Sequence, residues 1–442
     1  MTSQNIPADD RTTSGPPRES VFRIAVASFA GTTIEFFDYY AYGLAAALVL
    51  NKAFFPDLSP AAGTLAAFAT FGVAFVARPV GAALFGHWGD RIGRKKILVV
   101  SLLMMGLATF AVGLLPSFAT IGLWAPILLV VLRIIQGIGL GGEWGGAALI
   151  ATEHAPEGKR GLYAMFPQLG PAIGFILANL TFLACRVSMS DHAFNTIGWR
   201  IPFLVSFVLV LVGLYVRLKI AETPIFKEAT ANHEIVRAPL VELVKNQWKA
   251  LLLGAGGMII QYTLFYTATT FCLAYATTTL GVKQSTMLVI VMLAVVMLGV
   301  ATVFSSILSD RIGRKRVLLI SCGLAVVWGL ATFPLLDTGN YVLMWLALAG
   351  CLALMGLGFG PMGAFLPELF ETRYRYTGAS LSYSLGGVFG GALPPLIATE
   401  LSANFSSWTI GAMISVLALI SLVCILGLPE TKSSSMLARA SR

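Results

Sequence analysis

The sequence predicts an all-α membrane protein with twelve transmembrane helices in two six-helix halves, and three observations predict it. Charged residues are only 12% of the 442 while apolar ones are 57%, and the mean hydropathy is +0.81; a soluble chain carries about a quarter charged. Apolar runs recur from end to end, each long enough to cross ~30 Å of hydrocarbon as a helix. A charged turn, Gly86-His87-Trp88-Gly89-Asp90-Arg91-Ile92-Gly93-Arg94-Lys95-Lys96, returns 220 positions later as Ser306-Ile307-Leu308-Ser309-Asp310-Arg311-Ile312-Gly313-Arg314-Lys315-Arg316. A repeat at about half the chain length marks a duplicated membrane unit. Sheets with open edges are excluded, because lipid leaves their backbone groups unsatisfied.

The apolar runs place helices at 23–50, 61–86, 96–116, 121–151, 160–184, 199–219, 249–275, 284–308, 317–336, 340–366, 377–401 and 407–428. Residues 1–22 read as a disordered tail, since they are polar and contain Pro16-Pro17 and many Ser/Thr. Residues 23–219 form the first half and 249–430 the second. Between them, 220–248 is a polar linker, and 431–442 is a short second tail.

The net charge of +9 does not imply a nucleic-acid partner. Most of the 30 Lys/Arg fall in the termini or in alternate loops, where Arg217 is counted with the linker, and the opposite-side loops hold only Lys52, Arg186, Arg200 and Lys283. That is the positive-inside pattern, which puts both termini in the cytoplasm of a cell-membrane protein. The five cysteines are scattered through apolar runs and form no disulfide or metal framework.

Helix 1 carries Glu35, Asp38, Tyr39 and Tyr42 at i, i+3, i+4, i+7 spacing, so they share one face. Asp38 lies ~22 Å from the start near Arg23 at 1.5 Å per residue, past the middle of the hydrocarbon. A carboxylate at that depth marks an ion or proton path unless it only anchors a helix contact, and both readings stay open for it and for Glu35. In helix 2, Arg78 either neutralises a carboxylate or snorkels toward the charged turn. The turn itself offers Gly86, Asp90, Arg91, Gly93, Arg94 and Lys95, and its repeat offers Asp310, Arg311, Gly313 and Arg314. The glycines permit tight turning, Asp90 can accept from a helix end, and the basic cluster suits anionic lipid.

Helix 4 places Arg133 and Gln136 one turn apart, then Gly137, Gly139, Gly141, Gly142, Glu143, Gly145 and Gly146. Arg133 stays charged and is expected to find a carboxylate or an anionic ligand, with Glu35 and Asp38 nearest in depth. The glycines suit close helix approach, sliding or static packing. Helix 5 offers Gln168 between Pro167 and Pro171 as a ligand contact. Helix 7 offers Gln261, Tyr262, Phe265 and Tyr266, a face that reads either as a ligand wall or as core.

These stretches resemble a known family. The paired D-R-I-G-R-K turns are similar to the signature loops of the major facilitator superfamily. The Glu35/Asp38 segment, Arg133–Gly146, Gly198-Trp199-Arg200-Ile201-Pro202-Phe203 and Ala221-Glu222-Thr223-Pro224-Ile225-Phe226 resemble its metabolite:proton symporter group. Ser59-Pro60 with Gly63–Gly72 is similar to the shikimate-transporter branch. Ser306 and Ser309 replace Gly86 and Gly89 in the second turn, which implies a looser latch there.

The resemblance implies a central cavity between helices 1, 4, 7 and 10, two rocking halves, and charged turns that latch helix ends. The expected activity is proton-coupled import of a small polar metabolite, an organic acid such as shikimate. Asp38, with Glu35 and Arg133, would couple the proton. Arg133, Gln136, Tyr39, Tyr42, Glu143, Gln168, Arg78, Gln261, Tyr262 and Tyr266 would bind cargo. Import of a zwitterionic osmolyte such as proline or betaine, and proton-driven export, are the alternatives. The expected partners are a small substrate, protons and the lipid bilayer, with a functional monomer and no cofactor, metal or nucleic acid. No H-E-x-x-H or G-x-S-x-G motif suggests an enzyme.

Overall fold

The computed structural model describes residues 18–156, 158–219 and 239–432. Residues 1–17, 220–238 and 433–442, and with them most of the expected tails and linker, lie outside the described residues, as does the side chain of Arg94. Among the described residues every regular element is helical.

Among the described residues twelve long helices run in order: α1 Arg18–Leu48, α2 Pro60–Ile92, α3 Arg94–Leu114, α4 Trp124–Glu153, α5 Arg160–Ser188, α6 Ile201–Lys219, α7 Pro239–Thr278, α8 Gln284–Ile312, α9 Arg314–Leu336, α10 Tyr341–Leu369, α11 Thr372–Asn404 and α12 Trp408–Leu426. Eleven of these regions are long and apolar enough to cross a membrane. The remaining one, α1, is diluted by Thr32, Thr33, Glu35 and Asp38 but spans 31 residues, ~46 Å at 1.5 Å per residue.

The two halves pack alike. In the first, α1 lies on α5, α2 on α4 and α3 on α6; in the second, α7 lies on α11, α8 on α10 and α9 on α12. The halves meet along two equivalent seams, α2 against α11 and α5 against α8. Glycines set the closest approaches. A Cβ on Gly81 would overlap the Ile138 carbonyl, and one on Gly137 the Ala74 carbonyl, so α2 and α4 touch backbone to backbone.

Several boundaries differ from expectation. Helix α1 begins inside the stretch read as a tail. The charged turns are not loops: α2 runs through Asp90 to Ile92 and α8 through Asp310 to Ile312. Only Gly93 (φ 104°) and Gly313 (φ 108°) break them, in backbone conformations that side chains rarely adopt. Helix α7 starts at Pro239, within the expected linker, and kinks at Gln247. Helices α7 and α11 each contain one π-helical stretch, Thr267–Phe271 and Val388–Ala392. Helix α4 is interrupted at Gly142 and resumes at Glu143.

Candidate functional site

At the end of the bundle bearing the charged turns, each half grips a helix N-terminus of the other. Asp90 accepts hydrogen bonds from the Tyr376 and Thr377 amides at 3.3 and 3.1 Å and from the Thr377 hydroxyl at 2.8 Å. Asp310 accepts from the Gly161 and Leu162 amides at 3.0 and 2.8 Å and from Arg314 at 2.6 Å. Both carboxylates sit where free N–H groups and the helix dipole favour negative charge.

The two turns achieve their close approach differently. At the first, Gly89 makes room for the Tyr376 ring, and a Cβ on Gly86 would meet Thr377 Cα at 2.8 Å. At the second the small residue has moved across the seam: Ser306 and Ser309 face Gly161, whose added Cβ would meet the Ser306 carbonyl at 2.7 Å. The close approach survives because the missing side chain lies on the partner helix.

The other turn residues play unequal parts. Arg314 is buried against Asp310 and 3.6 Å from Glu368. Lys95 donates to the Leu218 carbonyl at 2.8 Å. Arg91 is exposed beside His87 at 3.3 Å, and the Arg311 carbonyl accepts from Lys432 at 2.6 Å. Tyr376, Thr377, Glu368, Glu430 and Arg160 belong to the same network, and sequence reasoning gave them no role. A signal existed: Arg375, at the start of the α-helical part of α11, and Arg160, at the start of α5, face Glu153 and Glu368 at 3.9 and 3.8 Å.

Deeper in, the charge pairing differs from expectation. Arg133 touches neither Glu35 nor Asp38. Its guanidinium donates to Gln136 and to the Thr70 and Phe71 carbonyls at 3.4 and 3.2 Å, and it lies 3.8 Å above the Tyr42 ring, with the Tyr39 ring at 5.1 Å. Carbonyl oxygens and ring faces supply the negative charge a carboxylate was expected to give. Gln136 in turn donates to Thr109 at 2.7 Å, and Tyr42 shares a 2.6 Å bond with Thr70. Asp38 is fully buried with no hydrogen-bond partner on either oxygen and has Ser206 of α6 beside it.

Glu35 instead pairs with Arg217, which was counted with the linker charges but is buried at 3% exposure in α6. Arg217 also holds Glu143 through two hydrogen bonds, one of 2.8 Å. Its position near a helix end concealed its inward rotation.

Between the halves lies a cavity of about 10 Å³, room for roughly one water. Phe36 and Tyr40 of α1, Gln261, Tyr262, Phe265 and Tyr266 of α7, Phe359 of α10 and Tyr383 of α11 line it. Both amide atoms of Gln261 are buried without a hydrogen-bond partner. Arg78 neither meets a carboxylate nor snorkels. It is 1% exposed, donates to the Tyr262 hydroxyl at 3.0 Å, and sits 5.1 Å from the Tyr383 ring and 5.5 Å from that of Tyr262. Its Nε and Nη1 have no partner.

Gln168 accepts from Trp144 at 2.8 Å and donates to the Phe359 carbonyl at 2.6 Å, while Trp144 stacks on Tyr383 at 4.0 Å. The structure thus gathers Arg78, Gln168, Gln261, Tyr262 and Tyr266 around the cavity. Tyr39 reaches Tyr266 across the seam, its hydroxyl unpartnered. Arg133, Gln136 and Tyr42 form a separate cluster within the first half, and Glu143 stands with Arg217. Toward the far end the α5–α8 seam is tied where Asn179 donates to the Leu288 carbonyl at 3.2 Å and Arg186 to Gln284 at 3.1 Å. No cluster of His, Cys, Asp or Glu among the described residues could hold a metal.

Comparison with known proteins places this geometry. A family profile described as Major Facilitator Superfamily matches residues 28–381. The inner membrane metabolite transport protein YhjE of Escherichia coli is 46% identical over 95% of this chain and 97% of its own. The shikimate transporter of the same organism is 39% identical over 87% and 88%, and its proline/betaine transporter 31% over 92% and 83%. The E. coli proton:xylose symporter XylE, bound to 6-bromo-6-deoxy-D-glucose, superposes with a TM-score of 0.76 at 19% identity, covering 95% of this chain and 98% of that one.

Proposed function

The chain belongs to the Major Facilitator Superfamily and is a multi-pass membrane carrier of metabolites, and we propose that its cargo is a small organic acid taken up together with protons. The observation that carries this reading is Arg78: a buried guanidinium beside the central cavity, with two unpartnered nitrogens and no carboxylate against it among the described residues. A buried cation without a counter-ion is costly. An incoming carboxylate removes that cost and engages the planar donors bidentately. Gln261 offers a free amide to a hydroxyl or carbonyl of the same cargo, and the aromatic walls suit a ring or other apolar body. The likeness to the shikimate transporter supports a hydroxylated ring acid.

In this reading the charged-turn end and both termini face the cytoplasm. The proton is taken up on the buried helix α1 carboxylates Asp38 and Glu35. Arg133 acts through its aromatic and carbonyl cage to hold α2 and α4 beside them. Opening of the latches at Asp90 and Asp310 releases cargo inward, and one chain suffices. A monoanion moving with one proton carries no net charge, so uptake then draws on the pH difference alone. Each further proton adds ~2.3 kcal/mol per ~100 mV.

A second cargo has an observation in its favour. The ring-lined cavity can also hold a quaternary ammonium by cation–π attraction while Arg78 takes the carboxylate of the same zwitterion, and the proline/betaine transporter is a relative. Proteoliposomes with an imposed pH gradient decide between them. Radiolabelled shikimate, a dicarboxylate and glycine betaine are offered in turn, and accumulation of shikimate with an acid exterior is expected. Accumulation of betaine alone would assign the zwitterion, and absence of pH-driven accumulation for every compound would overturn symport.

A further inference from the structure

We propose that Arg217, Glu143 and Glu35 form a built proton site, in which Glu143 is the fixed ion-pair partner of Arg217 and Glu35 carries the transported proton. This deepens the symport reading and rests on it.

Charge counting comes first. Two carboxylates meet one guanidinium, and all three side chains are nearly sealed, at 0%, 2% and 4% exposure for Glu35, Glu143 and Arg217. Ionised throughout, the group would hold one uncompensated negative charge in a dry site, which is costly. One proton cancels it.

Hydrogen bonding says where the proton sits. Glu143 is saturated: Arg217 engages both of its oxygens, and the Ser101 hydroxyl donates to Oε2 at 2.9 Å. Glu143 also opens the second segment of α4 after the break at Gly142, where helix N–H groups favour its negative charge. Glu35 shares the same Arg217 nitrogen through one oxygen and accepts no further bond on either. A proton on Glu35 needs no rearrangement of the other two.

Among the described residues, Arg217 is the cation paired with these two carboxylates. Lys95 of α3 is committed to the Leu218 carbonyl, and the Tyr376 phenol of α11 donates to the Gly142 carbonyl. Asp38, one turn along α1, would add negative charge. The Tyr376 contact also ties the break in α4 to the residue whose amide the Asp90 latch holds. Loss of the proton therefore leaves an unbalanced charge on Glu35, joined through Arg217 to Glu143 beside that seam contact, which favours opening and hydration there.

The test uses the full chain in proteoliposomes. Wild type is expected to accumulate labelled shikimate or betaine up to tenfold per pH unit for one proton per cargo. E35Q is expected to retain counterflow exchange at zero gradient while its accumulation ratio falls to about one. Wild type without pH-driven accumulation overturns the symport reading. Wild type that accumulates alongside an E35Q that still does so overturns the triad alone.

Infrared spectra of the purified protein in lipid nanodiscs require no cargo. At neutral pH a protonated-carboxyl band is expected in wild type, with a component lost in E35Q. That component should also be lost in E143Q, where Glu35 inherits Arg217 and ionises, although Glu35 itself is present. Should E35Q not fold, E143Q decides: the component's persistence there overturns the assignment.

Discussion

Replacing Asp90 with Ala tests the latch most directly. The carboxylate accepts one short bond, from the Thr377 hydroxyl at 2.8 Å, and two longer ones from backbone amides at 3.1 and 3.3 Å. Net of the water that replaces them on opening, the short charge-assisted bond contributes about 2 kcal/mol and the longer pair about 0.5 kcal/mol each. Their sum, ~3 kcal/mol, multiplies the open-to-closed ratio at this end by roughly 100-fold, at about 1.4 kcal/mol per tenfold. Spin labels at the exposed positions Ile92 and Arg373, with Cys424 replaced by Ser, report the α2–α11 separation by pulsed electron resonance. D90A should move the distance distribution toward a longer, open component. D90N keeps a neutral acceptor and should show about half the effect in free energy. D310A, read from labels across the α5–α8 seam, should shift the distribution in the same direction, because Asp310 accepts two amide bonds across that seam at 3.0 and 2.8 Å. An unchanged distribution in D90A refutes the reasoning.

Further perturbations separate the roles of other residues. D38N should abolish pH-driven accumulation while membrane insertion, followed by fluorescence-detected chromatography, stays normal; full accumulation would remove Asp38 from the proton route. R78Q should raise the half-saturating concentration for cargo by roughly 30- to 100-fold, the worth of about 2–3 kcal/mol for a charge-assisted pair. Its melting temperature without cargo should not fall, since a buried cation without a counter-ion is removed; a large drop in Tm with unchanged uptake would make Arg78 structural. G81V should destabilise strongly, because the added atoms meet the Ile138 backbone, which cannot step aside. G323A should stabilise slightly, by about 0.5–1 kcal/mol, seen as a small rise in Tm, as a Cβ there meets nothing within 4 Å.

Much of the architecture was legible in one dimension because lipid imposes strong rules. Length, apolar content and alternate basic loops follow from hydrocarbon thickness and the cost of unsatisfied backbone. The duplicated Asp90 and Asp310 turns announced two equivalent halves for the same reason. The helix ends were less legible, because a helix carries charge past the hydrocarbon without penalty and α2 and α8 stop only at Gly93 and Gly313. Gln261, Tyr262 and Tyr266 were readable as a face, but whether that face met a cavity or core depended on the helices opposite.

The charge pairing is where one dimension ran out. Sequence depth suggested that Arg133 would answer Glu35 or Asp38, yet Arg217 from α6 takes Glu35, and Arg133 rests among rings and carbonyls. Depth along a helix is a property of the chain, whereas the direction a side chain faces depends on each helix's rotation against its neighbours, which packing sets. The amino-acid order by itself determined that there are two six-helix bundles, repeated charged turns and buried acids and bases. Only the tertiary structure decided which acid meets which base, because that choice is made by contacts between helices far apart in the chain.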